Sequence, residues 1–230
     1  MGEWDAPHLE NQDPQIMPYI HLCNVACGAH AGSRAIMKQT IELAMENDVR
    51  VGAHPGYADK HNFGRAYIVQ SEQKLKDLLR SQMDLFLDTA DTLDAKPYHI
   101  KPHGALYHAC NHREMEMNVL IDIMKNEYPN LVLLVFPDSM LHKVGVSEHL
   151  NLMAESFIDR LYTDELKLVS RSKRRAVITD EDTAKDQYDT LVLSKITTQS
   201  GSTKKMISQT ACIHGDNPNV LSILKSIHHG

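Results

Sequence analysis

The chain has no surplus of positive charge: 24 Lys and Arg stand against 30 Asp and Glu in 230 residues, a net charge of -6. Binding to a phosphate backbone needs a clustered basic surface, so nucleic acid is not expected as a partner. The one basic run, Arg171-Ser172-Lys173-Arg174-Arg175, reads as a solvated loop. No apolar run approaches the ~20 residues that a membrane-spanning helix needs. The amino terminus lacks the basic and apolar regions of a signal peptide. The four cysteines, Cys23, Cys27, Cys110 and Cys212, lack the paired spacing of a zinc knuckle and read as reduced thiols. A soluble, cytoplasmic protein with no membrane partner is therefore expected. At 42% hydrophobic residues the chain is long enough for one large core and short for two, so a single domain over residues 1–230 is expected.

What the chain does hold is a recurring event. In Tyr98-His99-Ile100-Lys101-Pro102-His103-Gly104 an apolar run ends in a lysine, a proline, a histidine and a glycine. Proline cannot donate to a sheet ladder and glycine permits unusual backbone angles, so the strand stops here with Lys101 and His103 at its carboxyl end. The event repeats in Asn24-Val25-Ala26-Cys27-Gly28-Ala29-His30, in Val49-Arg50-Val51-Gly52-Ala53-His54-Pro55 and in Thr210-Ala211-Cys212-Ile213-His214-Gly215-Asp216. In parallel α/β folds the carboxyl ends of the strands converge on one face, so four strand-end histidines are expected to meet at one site.

Around these stretches the chain alternates strands and helices. The first twenty residues read as a loop. Strands are expected at 19–27, 49–53, 131–136, 151–157 and 209–213, besides the one at 98–101. Helices are expected after Ser33, after Ser71, at 113–127, at 179–188 and from Asn217-Pro218 onward. In the helix after Ser71, Leu75, Leu78, Leu79, Met83, Phe86, Ala90 and Leu93 form a core stripe. The continuous apolar run Leu131-Val132-Leu133-Leu134-Val135-Phe136 reads as a strand buried on both faces. The long loop 55–65 is expected to be functional. A hairpin is expected within 190–207, around Gln199-Ser200-Gly201-Ser202, and His228 and His229 read as a frayed terminus. Such alternation implies a mainly parallel sheet able to close into a barrel.

His30, His54, His103 and His214, with Asp159 and Asp216, offer general acids, general bases or metal ligands. Their spacing leaves metal dependence open, because none forms the His-x-x-x-His pair of a helix-borne site. Lys101, Arg65, Arg160 and Arg171 suit an anionic substrate. Lys101 and Asn24 stand out as polar residues within strands; an ammonium there needs a carboxylate or a substrate anion beside it.

These stretches, together with Asn62-Phe63-Gly64-Arg65, Phe157-Ile158-Asp159-Arg160 and Leu168-Val169-Ser170-Arg171-Ser172, make the sequence similar, almost end to end, to the family of 5-oxoprolinase A subunits, formerly called lactam utilisation proteins. The resemblance implies a distorted seven-stranded β/α barrel akin to polysaccharide deacetylases and glycoside hydrolases. It implies cleavage of 5-oxoproline to L-glutamate coupled to ATP hydrolysis, with subunits B and C as partners. Ser33 stands where the family pattern has Asp. Where the family begins with a strand bearing an Asp-Leu-Asn-x-Asp motif, only Met1-Gly2-Glu3 is found here, so the first strand is expected to be missing. Partner subunits of the family are thought to phosphorylate the lactam oxygen, after which the family's own member opens and dephosphorylates the ring. The chain has no Gly-x-x-x-x-Gly-Lys-Ser/Thr loop, consistent with ATP bound on the partners. On this basis His30, His54, His103, Asp159 and Glu3 are the expected catalytic residues. Asn24, Arg65, Lys101, Arg160, Arg171, His214 and Asp216 are the expected substrate-binding residues. The alternatives are a metal-dependent deacetylase or amidohydrolase on a similar barrel, and a truncated subunit that binds without turnover.

Overall fold

A computed structural model describes residues 1–6 and 9–228. The chain forms two compact units, Met1–Leu152 and Met153–Gly230, both α/β in character.

The first unit is built on a parallel sheet in the order β1 (Leu22–Ala26), β2 (Arg50–His54), β3 (His99–Ile100) and β4 (Val132–Val135). The register sets Ala26 beside His54 and Ala53 beside Ile100, so successive strands end level with one another. α2 (Arg34–Glu46) links β1 to β2, and α3 (Glu72–Asp91) links β2 to β3. Both begin where a serine reads as a cap: Ser33 Oγ accepts from the Ile36 amide and Ser71 Oγ from the Lys74 amide, each at 3.3 Å, satisfying an otherwise orphaned donor. Val25, Ala53, Ile100 and Leu133 from the strands pack with Ile41 from α2 and Phe86 from α3 in one apolar core. Full burial of a side chain such as Phe86 contributes about 1.5–3 kcal/mol.

Three helices of this unit, α1 (Asp13–Ile16), α4 (Gly104–His112) and α6 (Met140–Ser147), were not expected. α4 starts directly at the end of the His103 stretch, where only a turn was expected, and α5 (Glu114–Asn126) follows with a break at Arg113. α6, capped by Ser139, joins β4 to the next strand. The opening stretch contains the short α1 and a 3-10 turn, Met17–Tyr19, in place of a continuous loop. Met1 also lies against β1. Its amino group donates to the Asn24 carbonyl at 3.0 Å and its carbonyl accepts from the Ala26 amide at 3.1 Å, the pattern of a parallel bridge to Val25.

In the second unit β5 (Leu152–Phe157) pairs in parallel with β8 (Thr210–Cys212). Between them come α7 (Glu181–Val192) and the antiparallel hairpin of β6 (Lys195–Thr197) and β7 (Thr203–Lys205). α8 (Val220–His228) packs on α7 through Ile223, with Ile158, Ile178 and Ala184. His228 ends α8; His229 lies outside the described residues. No helix among the described residues is long and apolar enough to cross a membrane. Among the described residues six strands thus stand in parallel ladders, four in the first unit and two in the second.

Candidate functional site

The site in the first unit grows from the ends of β1, β2 and β3. β2 terminates at His54, and His54 Nδ1 donates to the Lys101 carbonyl at 2.6 Å. That bond fixes the ring and leaves the Nε2 lone pair available. After β3, the Lys101 amide donates to Ala53 and the His103 amide to Pro55, so the ladder continues past the strand and carries both side chains to its end. Lys101 therefore lies one residue beyond β3. Its ammonium sits over the Tyr107 ring at 5.7 Å.

The turn after β1 brings His30 onto the same cluster. Its ring stacks on that of His103, with centroids 3.8 Å apart and planes 5° from parallel, and meets His54 edge-on at 5.8 Å. His54 and His103 also meet edge-on at 5.0 Å. Glu3 completes the group: His30 Nε2 donates to Glu3 Oε1 at 3.2 Å. Ligand atoms of Glu3, His54 and His103 lie within 4.8 Å of one another. All three histidines are buried, and His30 Nδ1 and His103 Nδ1 make no hydrogen bond to any described residue.

The loop between β2 and α3 closes over these rings. Phe63 presents its edge to His30 and His103 at 5.7 and 5.2 Å. The Arg65 guanidinium lies over the Phe63 ring at 5.0 Å. The Gly64 carbonyl accepts from the Ala105 amide at 3.0 Å, tying the loop to the start of α4. Gly64 has φ +63°, and a Cβ there would fall 2.8 Å from both His103 Nδ1 and the His30 Cβ. Only glycine fits this approach.

The electrostatics favour neutral rings beside an ionised carboxylate. Burial, reinforced by the other histidines, holds His103 well below the usual imidazole range. Burial does the same for His54, with Lys101 and His30 adding to it and Glu3 opposing. For Glu3 burial acts upward, but the N-terminal ammonium, the His30 hydrogen bond and the nearby histidines outweigh it and hold the carboxyl well below its ordinary value. Two bare imidazole nitrogens and one carboxylate can abstract a proton, or can hold a divalent cation.

Of the other expected residues in this unit, Asn24 serves His99: its Oδ1 accepts from His99 Nε2 at 2.8 Å. His99 itself was not among the expected site residues. It is wholly buried, its pKa lowered to about 3 by burial and by Lys101, and it shares the alternation of β3 with Lys101, the one signal that could have marked it. Gln82 of α3 was missed too. It brackets Gly56, accepting from its amide and donating to its carbonyl, both at 2.9 Å. Asp5 accepts from the Gly32 amide at 2.7 Å, fixing the His30 turn.

The remaining expected residues belong to the second unit. Asp159 is fully buried and accepts from His214 Nδ1 at 2.8 Å, from the His214 amide at 3.2 Å and from Asn217 Nδ2 at 3.2 Å. Burial pushes its carboxyl up, and His214 and Asn217 more than offset that, leaving it below the ordinary range. His214 stacks on Phe157 at 5.5 Å. Arg171 Nη1 pairs with Asp216 Oδ2 at 3.4 Å. Arg160 is buried, and its guanidinium donates to the Val169 and Ala176 carbonyls at 2.6 and 3.3 Å, holding the loop that follows it.

The sequence matches the LamB/YcsF family over residues 1–230. It is 36% identical over 229 residues to the 5-oxoprolinase A subunit of Nitrobacter hamburgensis, covering 99% of this chain and 90% of that one. It is 34% identical over 228 residues to the protein of the same name from Pyrococcus abyssi, covering 99% and 89%. The crystal structure of the lactam utilization protein from Thermus thermophilus superposes with a TM-score of 0.91 at 27% identity, covering 100% of this chain and 94% of that one. The resemblance carried by the strand-end motifs thus extends over the whole chain, which belongs to the LamB/YcsF family.

Proposed function

We propose that this chain is the lactam-opening component of a 5-oxoprolinase, converting 5-oxoproline to L-glutamate with ATP bound and used by partner subunits B and C. The observation that carries it is the convergence of Glu3, His54 and His103, with ligand atoms within 4.8 Å of one another, in a chain whose relatives are named as 5-oxoprolinase A subunits. A lactam is a poor electrophile, so phosphorylation of its oxygen on the partners supplies the activation. Opening then needs a base to take a proton from water and an acid to protonate the departing ring nitrogen, and a second water hydrolyses the acyl phosphate so formed to glutamate and inorganic phosphate. His54 and His103 are the neutral rings placed to do this: one takes the proton from water and, as the imidazolium so formed, gives it to the ring nitrogen, with Glu3 and His30 as the relay that receives or returns a proton. Lys101 and Arg65 are the cations of this unit that hold the substrate's anionic groups. The seven-stranded β/α barrel belongs to the same proposal.

The test is reconstitution. Glutamate is expected only when the chain, partner subunits and ATP are combined; release of glutamate by the isolated chain with ATP would refute the division of labour. A second reading is favoured by the histidine and carboxylate donor set: a metal-dependent deacetylase acting without ATP. Acetate release from N-acetyl compounds by the isolated chain, abolished by a chelator, would establish it instead.

A further inference from the structure

We propose that Glu3, His54 and His103 form a binding site for one divalent ion of the zinc, cobalt and manganese class. Two imidazoles and a carboxylate are a donor set that borderline cations take, and three protein ligands leave a coordination position open for water or substrate. The ligand atoms lie within 4.8 Å of one another; a tetrahedral sphere with bonds of ~2.1 Å places them about 3.4 Å apart, so closure needs side-chain movement of the order of 1 Å.

The surroundings of each ligand support the assignment. His54 is oriented by Nδ1 donation to the Lys101 carbonyl at 2.6 Å, the backbone contact that metal-bound histidines use to fix their tautomer. Glu3 is held by the His30 hydrogen bond at 3.2 Å, which makes His30 a positioning residue. His103 is 7% exposed, walled by Phe63 and stacked on His30. The N-terminal ammonium lies 3.7 Å from Glu3 Oε2; a divalent ion carries twice that charge and also takes up the imidazole lone pairs.

The inference stands on ligand geometry and does not rest on lactam opening, so its test uses no substrate, ATP or partner. The full chain, freed of metal with a chelator, is titrated with Co²⁺ and with Zn²⁺. One equivalent bound, visible d–d bands displaced by zinc and a metal-induced rise in melting temperature are expected. Glu3→Gln and His54→Gln should lose the bands, and His30→Gln should weaken affinity 10- to 100-fold. His108 and His112 on α4 form an exposed i,i+4 pair with rings 4.6 Å apart, a competing chelate; His108→Ala with His112→Ala should leave the bands intact. Bands that survive Glu3→Gln and vanish in the α4 double variant overturn the proposal. So does a wild-type chain with neither bands nor a melting shift at millimolar Co²⁺, an outcome that needs no variant to fold.

Discussion

Both units deliver a histidine just past a strand, followed by glycine or proline, yet they surround it differently. In the first, His54 and His103 face each other, His30 and a single carboxylate. In the second, the His214 ring donates to Asp159 Oδ1, while Oδ2 accepts from the His214 amide and from Asn217. The same device therefore yields two chemistries. In the first, burial holds the His54 and His103 rings neutral, with lone pairs kept for a proton or a cation. In the second, the ring is set in one tautomer by the buried carboxylate to which its Nδ1 donates.

The largest effect that would sharpen this contrast is on turnover. His103→Asn should lower the rate of the reconstituted enzyme by roughly 10²- to 10⁴-fold, the usual worth of a positioned acid or base. Steady-state glutamate production measures it; an unchanged rate would place the chemistry elsewhere. Next in size is Gly64→Ala. Its Cβ would fall 2.8 Å from His103 Nδ1 at a backbone φ of +63°, so a loss of about 1–3 kcal/mol in urea unfolding is expected, from overpacking and backbone strain together.

Asp159→Asn tests the second unit. It leaves hydrogen-bonded groups around a neutral amide in a buried position, and a cost of about 1–3 kcal/mol is expected. Its pH dependence has a defined sign. The folded carboxyl lies below its ordinary value, so its stabilisation is fully present above the unfolded pKa of about 3.9 and is lost as pH falls through the folded value. Unfolding midpoints of the wild type should therefore fall below about pH 4, and the Asn variant should show a shallower acid limb. The smallest effect is expected beside His214, where a Cβ on Gly215 would meet nothing within 4 Å. Gly215→Ala should change stability by less than about 0.5 kcal/mol. Equal penalties at Gly64 and Gly215 would erase the distinction drawn between the two histidine environments.

Much of this was legible in the sequence because it is local. Ser33 caps the helix it was expected to cap, and the helix expected to open at Ser71 does so, with Ser71 as its cap. The expected helix at 113–127 is found as Glu114–Asn126, and the hairpin turns at Gln199-Ser200-Gly201-Ser202. α4 was hidden because Pro102 and Gly104 read as breakers, whereas Gly104 is the first helical residue with His103 at the cap position. α6 is short and was masked by the strong apolar run before it. In the site, residue types were readable and partners were not. Nothing in the spacing tells that Asn24 serves His99, that Arg160 is bound to two loop carbonyls, or that His30 stacks on His103. Those are contacts between residues far apart in sequence, and the ones in the first unit are fixed by the register of β1, β2 and β3.

Met1 gives the first unit an unusual handle. Glu3 is two residues from the amino group, and what holds it in place is the pair of bonds between Met1 and β1, the Gly2 amide donating to Asp13 at 2.6 Å, and Gly2 lying too close to Thr40 to carry a side chain. A substitution at Gly2 or Asp13 therefore alters the candidate site itself, although neither residue belongs to it.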